Sequence, residues 1–184
     1  MEKKVLIGGS GGQGILFMGK VMAYAAMIEG KEVTWYPSYG AEMRCGTANC
    51  SVVISEEAIG PPVITWIDIL IAFTEASSRK FAPRLQKDGI LFYDSSLMTI
   101  DNSLEVDMCG IEANYIASAI GDTRIANMVM LGAVAAITGL FTQDVLFAAL
   151  ENNQPRSKEQ AMSVNKEALL RGFKIGEVQK SNHS

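Results

Sequence analysis

Histidine is nearly missing from this sequence. The only one, His183, stands next to the last residue, where chain ends fray, so general-base work by histidine is excluded. Cysteine is scarce as well. Cys45, Cys50 and Cys109 are an odd number without the paired spacing of a zinc or iron–sulfur site, and reduced thiols are expected. No H-E-x-x-H, G-x-S-x-G or G-x-x-x-x-G-K-[ST] occurs, which leaves zincin, hydrolase-elbow and P-loop chemistry without support. Glu2-Lys3-Lys4 leads straight into a strand pattern with no apolar signal segment, and the longest apolar stretch, Met128 to Leu140, is too short to span a bilayer. The expectation is a cytoplasmic protein without a membrane. A net charge of −4 and the lack of a basic stripe with interleaved aromatics speak against nucleic acid as a partner.

What is abundant is glycine in one place. Val5 to Gly14 reads VLIGGSGGQG, a short apolar strand running into five glycines, followed at once by an Ala-rich helical pattern. Strand, tight turn and helix are predicted, with helix N–H groups pointing outward as an anion cradle or a close protein contact. The spacing Gly9-x-Gly11-x-x-Gly14 matches the dinucleotide fingerprint. That fingerprint also needs a carboxylate at the exit of the second strand, about 20 residues on. Here the strand Glu32 to Tyr36 exits through Pro37-Ser38, and Glu29 lies before it, so the NAD reading is disfavoured. A turn used only for packing remains the plainer alternative.

The second notable stretch is Tyr36 to Gly46, reading YPSYGAEMRCG. Arg44 can hold a phosphate or carboxylate bidentately, with Glu42 orienting it and Gly40 and Gly46 admitting a close backbone. A solvated surface loop is the alternative. Cys45 beside Arg44 is either activated by that cation or a small packing residue. Cys50 and Cys109 read as packing. Met128 and Met130 read as core filler or, alternatively, as part of a subunit interface through which the isolated chain could form a homodimer.

Along the chain, helix Ile15 to Glu29 is followed by strands Glu32 to Tyr36, Ala48 to Ser55 and Ile67 to Phe73. Then come a helix from Glu75 to Gln86, strand Gly89 to Asp94 and a last strand Leu104 to Met108. Helices Glu112 to Ile120, Ile125 to Thr138 and Thr142 to Leu150 follow, and a terminal amphipathic helix lies within Ser157 to Lys180. No repeat or linker interrupts the 184 residues, which suit one domain over 1–184. The alternation predicts an α/β fold, a Rossmann-like three-layer sandwich with a mostly parallel sheet. Ligands and partners of such sheets meet the carboxyl ends of the strands, where the Gly turn, Pro37 to Gly46 and Asp94 to Ser96 should cluster.

Gly9-Ser10-Gly11-Gly12-Gln13-Gly14, with Trp35 to Arg44 and Asn127 to Gly132, resembles the gamma subunit of 2-oxoacid:ferredoxin oxidoreductases over nearly the whole chain. The resemblance implies a complex that oxidatively decarboxylates a 2-oxoacid with coenzyme A to acyl-CoA, CO2 and reduced ferredoxin. It implies thiamine diphosphate held by alpha and beta subunits, and iron–sulfur clusters in the beta or a separate delta subunit. Ferredoxin is the electron acceptor. This chain would bind no cofactor firmly and carry no catalytic residue or metal of its own. Gly9, Gly11, Gly12, Gln13, Gly14, Tyr39, Gly40, Glu42 and Arg44 are the residues it places at the inter-subunit cofactor region. One departure is Cys45, where the family often has a glycine after the arginine, and its side chain narrows the room for a close backbone. A free-standing Rossmann-like nucleotide-binding module is the alternative function.

Overall fold

The structure, a computed structural model, describes residues 2–38, 47–60, 63–100, 106–153 and 159–183. Six strands and six α-helices alternate along the chain. They are β1 (Lys3–Ser10), α1 (Ile15–Ile28), β2 (Glu32–Ser38), β3 (Thr47–Ser55), β4 (Ile67–Ala72), α2 (Glu75–Phe81), β5 (Leu85–Asp94), β6 (Asp107–Ile111), α3 (Ala113–Ile120), α4 (Ala126–Thr138), α5 (Gln143–Asn153) and α6 (Glu159–His183). The strands form one sheet in the order β2-β3-β1-β4-β5-β6. β1, β4, β5 and β6 pair in parallel, as expected of runs such as Ile67–Ala72 that are apolar on both faces.

β3 is the exception and runs antiparallel to both neighbours. Its register explains why. Ser38, at the end of β2, pairs with Asn49, and Thr47 pairs with Ser10 at the end of β1. The chain therefore leaves and re-enters the sheet at the same edge, and a hairpin-type return needs no crossover helix. Segment 39–46, with the expected Tyr39, Gly40, Glu42 and Arg44, lies outside the described residues, but both of its anchors stand beside the Gly turn.

Several boundaries differ from the sequence expectation, three of them informatively. The helix expected to reach Gln86 ends at Phe81 and passes through a 3-10 turn, Ala82–Arg84, into β5. Pro83 has no N–H to continue the helical ladder, and Leu85 turns into the sheet. The last strand is Asp107–Ile111 rather than Leu104 to Met108, because the register with β5 sets Ile111 against Asp94 and buries it; residues 101–105 are not described. The terminal helix continues to His183, where a frayed end was expected.

One face of the sheet carries α1, α3, α4, α5 and α6 over the larger core, and the other carries α2 and loops over a smaller one. α4 is buried all round, Met128 and Met130 included. The alternative that these methionines form a subunit interface is therefore overturned, because both are fully buried within the chain itself. The two helices meet backbone to backbone. A Cβ added at Gly172 would run into the Val129 carbonyl, and one at Gly132 into the Leu169 carbonyl, closer than real Cβ atoms approach.

Candidate functional site at the carboxyl rim

Ser10, Ala72, Asp94 and Ile111 end the four parallel strands along one rim. The first loop there is the Gly turn. Gly12 and Gly14 take the left-handed conformation, with φ of 90° and 70°, so the turn's conformational demand falls on them. Gln13 folds back over the turn, its backbone N–H donating to the Ser10 carbonyl at 3.3 Å and its Oε1 accepting from the Ser10 N–H at 2.7 Å. A Cβ at Gly9 would sit 2.6 Å from that Oε1. Gly12 faces open space. α1 starts with no side-chain cap and no acidic residue in its first turn, so its leading N–H groups keep their positive end of the dipole.

The second loop follows β4. Phe73 is buried and donates its N–H to the Gly8 carbonyl at 2.9 Å. Thr74 caps α2, its Oγ1 accepting from the Ser77 N–H at 3.2 Å. The third follows β5, where the Asp94 side chain is fully buried and accepts from the backbone and side chains of Ser96 and Asn114.

These loops enclose two adjoining spaces. An open cleft of about 590 Å³ lies between Gln13, Phe73, Thr74 and the stretch Ser95 to Thr99. A smaller one of about 150 Å³ lies between Gly12, Gln13, Leu97, Asn114 and Arg124. Arg124 is bound bidentately by Asp122, Nε to Oδ1 at 2.9 Å and Nη2 to Oδ2 at 2.8 Å. That pairing holds the Asp122 carboxyl below its ordinary range.

The expected site residues thus divide. Gly11, Gly12, Gln13 and Gly14 share one turn, Gly9 lies in β1 one residue before its end, and the expected clustering of that turn with Ser95 and Ser96 is observed across the larger cleft. Sequence reading missed Asn127, whose Nδ2 donates to the Gly14 carbonyl at 3.0 Å from α4. It also missed Asn114 and Thr74. Asn127 had been singled out only as part of a familiar stretch, and Asn114 gave no signal.

The donor sets can be tested against the groups implied earlier. An iron–sulfur cluster needs four thiolates. This chain has three cysteines, and Cys50 on β3 is separated from Cys109 on β6 by three strands. Burial pushes the Cys50 thiol up to about 12 and Cys109 up to about 11. The Trp35 indole beside Cys50 pulls the other way, but without a hydrogen bond of good geometry, and burial dominates. Such thiols pack, as expected, and do not fit a cluster. No group of three or more His, Cys, Asp or Glu able to hold a metal occurs among the described residues. A phosphate-bearing ligand fits in part: the rim offers backbone N–H groups, hydroxyls and one arginine that already has a partner. For NAD the fit is poor, because Glu29 ends α1 far from the turn and its carboxylate takes the Lys31 ammonium at 2.7 Å.

A family model described as pyruvate ferredoxin/flavodoxin oxidoreductase matches residues 4–175. The chain belongs to this family. Relatives in the pyruvate ferredoxin/flavodoxin oxidoreductase family include the ketoisovalerate oxidoreductase subunit VorA of Methanothermobacter marburgensis, 43% identical over 141 residues. That match takes in 76% of this chain and 30% of VorA, so the chain spans under a third of that relative's length. The 2-oxoglutarate synthase subunit KorC of Methanocaldococcus jannaschii is 29% identical over 179 residues, covering 95% of this chain and 94% of KorC. Among solved structures, the gamma subunit of a keto/oxoacid ferredoxin oxidoreductase from Geobacter sulfurreducens PCA superposes with a TM-score of 0.82 at 29% identity, covering 95% of this chain and 98% of that one. The α/β fold and the resemblance carried by the GGQG and YGAEMR stretches are both borne out. Among the described residues no helix is long and apolar enough to cross a membrane.

Proposed function

We propose that this chain is the gamma subunit of a 2-oxoacid:ferredoxin oxidoreductase, one gamma-type domain over 1–184 in a cytoplasmic complex. Its partners are alpha and beta subunits, with a delta subunit where the clusters sit apart, and ferredoxin accepts the electrons. The assembled enzyme converts a 2-oxoacid and coenzyme A to acyl-CoA, CO2 and reduced ferredoxin. The observation that carries the reading is the open 590 Å³ cleft at the carboxyl rim in a chain matched end to end by a gamma subunit.

In this reading the rim receives coenzyme A at a subunit boundary. The thiamine diphosphate and iron–sulfur clusters of the other subunits supply the decarboxylation and electron-transfer chemistry. This chain's part is binding and orientation. Backbone N–H groups at Gly12 and Gly14 and at the start of α1 face phosphate oxygens, with Gly9 and Gly11 keeping the turn tight. Gln13 uses its Oε1 internally on Ser10, which leaves its amide N–H groups to donate toward the cleft. Tyr39, Gly40, Glu42 and Arg44 complete the site, Arg44 as the bidentate cation that the described rim otherwise supplies only through the paired Arg124. The free-standing nucleotide module is not favoured, since relatives matched over their whole length are complex subunits.

The test is reconstitution. Co-expression with the alpha and beta subunits is expected to give one co-eluting complex, with acyl-CoA formed only by the assembled mixture. Robust turnover by the isolated chain, or full turnover by a mixture lacking it, overturns the reading.

A further inference from the structure

Asp94 is a buried ionisable group for which binding and orientation at the rim have so far found no use. Its side chain is 0% exposed. Oδ1 accepts from the Ser96 N–H at 3.1 Å and from the Ser96 hydroxyl, and Oδ2 accepts from the Asn114 N–H at 3.0 Å and Nδ2 at 2.8 Å. The Ser96 Oγ in turn accepts from the Tyr115 N–H at 3.2 Å. Burying a carboxylate is costly unless its lone pairs are filled, and here four neutral donors fill them.

The donors come from two elements, which the Tyr115 N–H to Ser96 Oγ bond and a Ser95 N–H to Ile111 carbonyl bond at 3.0 Å also join. Ser96 opens the loop after β5, and Asn114 lies in the first turn of α3. Between them Leu97, exposed at 54%, stands as a wall shared by both clefts. Backbone bonds hold the same loop from the other side, the N–H groups of Leu97 and Met98 donating to the Asp94 carbonyl at 3.1 and 3.2 Å. One residue thus anchors the loop through main chain and side chain at once.

We infer that Asp94 is a positioning residue that sets the width of the ligand cleft by locking Ser96 and Leu97 to Asn114. This inference rests on the rim as the coenzyme A site. An asparagine could not replace the carboxylate, since it has one acceptor oxygen and its NH2 would face the donors of Asn114 or Ser96.

The experiment uses the assembled complex with three variants of this chain: Asp94→Asn, Asn114→Ala and Thr99→Trp, the last filling the cleft from an exposed position. Asp94→Asn is expected to raise KM for coenzyme A roughly tenfold while kcat stays within about twofold, the pattern of lost binding geometry without lost chemistry. Asn114→Ala, which keeps the carboxylate, should raise KM by a smaller factor. Thr99→Trp should raise KM whatever Asp94 does. If Thr99→Trp raises KM while the other two leave it at the wild-type value, the positioning role is overturned and the site stands. A wild-type KM in Thr99→Trp overturns the site itself. Should Asp94→Asn fail to assemble, Asn114→Ala decides alone, and a wild-type KM there sinks the inference.

Discussion

Asn127 reaches from α4 to the Gly turn, its Nδ2 donating to the Gly14 carbonyl at 3.0 Å and filling the space that a Cβ on Gly14 would occupy. The contact spans 113 residues of sequence and ties the first loop of the rim to the buried central helix. Gly14 and Gly12 differ in this respect. Both have positive φ, but a Cβ at Gly12 meets nothing within 4 Å.

Gly12→Ala therefore carries backbone strain alone, about 1–2 kcal/mol. Gly14→Ala adds displacement of Asn127 and loss of its hydrogen bond, about 1 kcal/mol or more on top. Urea unfolding of the two variants should show the larger loss at Gly14. Equal losses would mean that Asn127 relaxes freely.

Gly172 lies where α6 crosses α4. In an isolated helix Gly→Ala stabilises by about 1 kcal/mol. Here the added Cβ meets the Val129 carbonyl, a backbone atom that cannot rotate away, and overpacking of this kind costs about 1–3 kcal/mol or more. The clash wins, so Gly172→Ala should lower Tm, whereas a rise would refute the tight helix crossing.

The Cys50 thiol gives a pH signature. Its folded-state value is about 12 against an ordinary 9.0, because the thiolate is excluded from the buried site. Above pH 9 the unfolded chain loses this proton and the folded chain keeps it, so stability falls as pH rises from about 9 toward 12. The slope for one such group approaches about 1.4 kcal/mol per pH unit. Cys50→Ala should unfold with a shallower alkaline slope than the parent protein in urea titrations at pH 8 and pH 10.5. Parallel slopes would place the thiolate in a solvated site.

Arg44→Ala, in the assembled complex, is expected to raise KM for coenzyme A about tenfold, as loss of a charged hydrogen-bonding partner does. Tm should hold, which separates a role in binding from one in folding. Unchanged kinetics would assign Arg44 to the solvated surface.

How much of this was legible in the sequence follows from what each signal encodes. Glycine spacing located the first loop, because few chains need five glycines within seven positions where a strand runs into a helix. Alternation located β3 but not its direction, since period two reads the same both ways, and only pairing with β1 and β2 made it antiparallel. Hydropathy showed that Met128 to Leu140 needs cover without saying whose, and α6 of the same chain provides it. Helical spacing carried through Pro83 because the apolar pattern outweighed one proline, until the sheet claimed Leu85. Asp94 read as the polar end of a strand. Its partner Asn114 is 20 residues away, and nothing local in the chain announces such a pairing.

The crossing of α4 and α6 has a consequence for synthesis. A ribosome that has delivered everything up to α5 has released a central helix whose Val129 and Gly132 surface is still bare, and the main core cannot close until residues 159–183 emerge. Nascent chains stalled before that point should be clients for holding chaperones, and shortening the final helix should bring insolubility by baring the same surface.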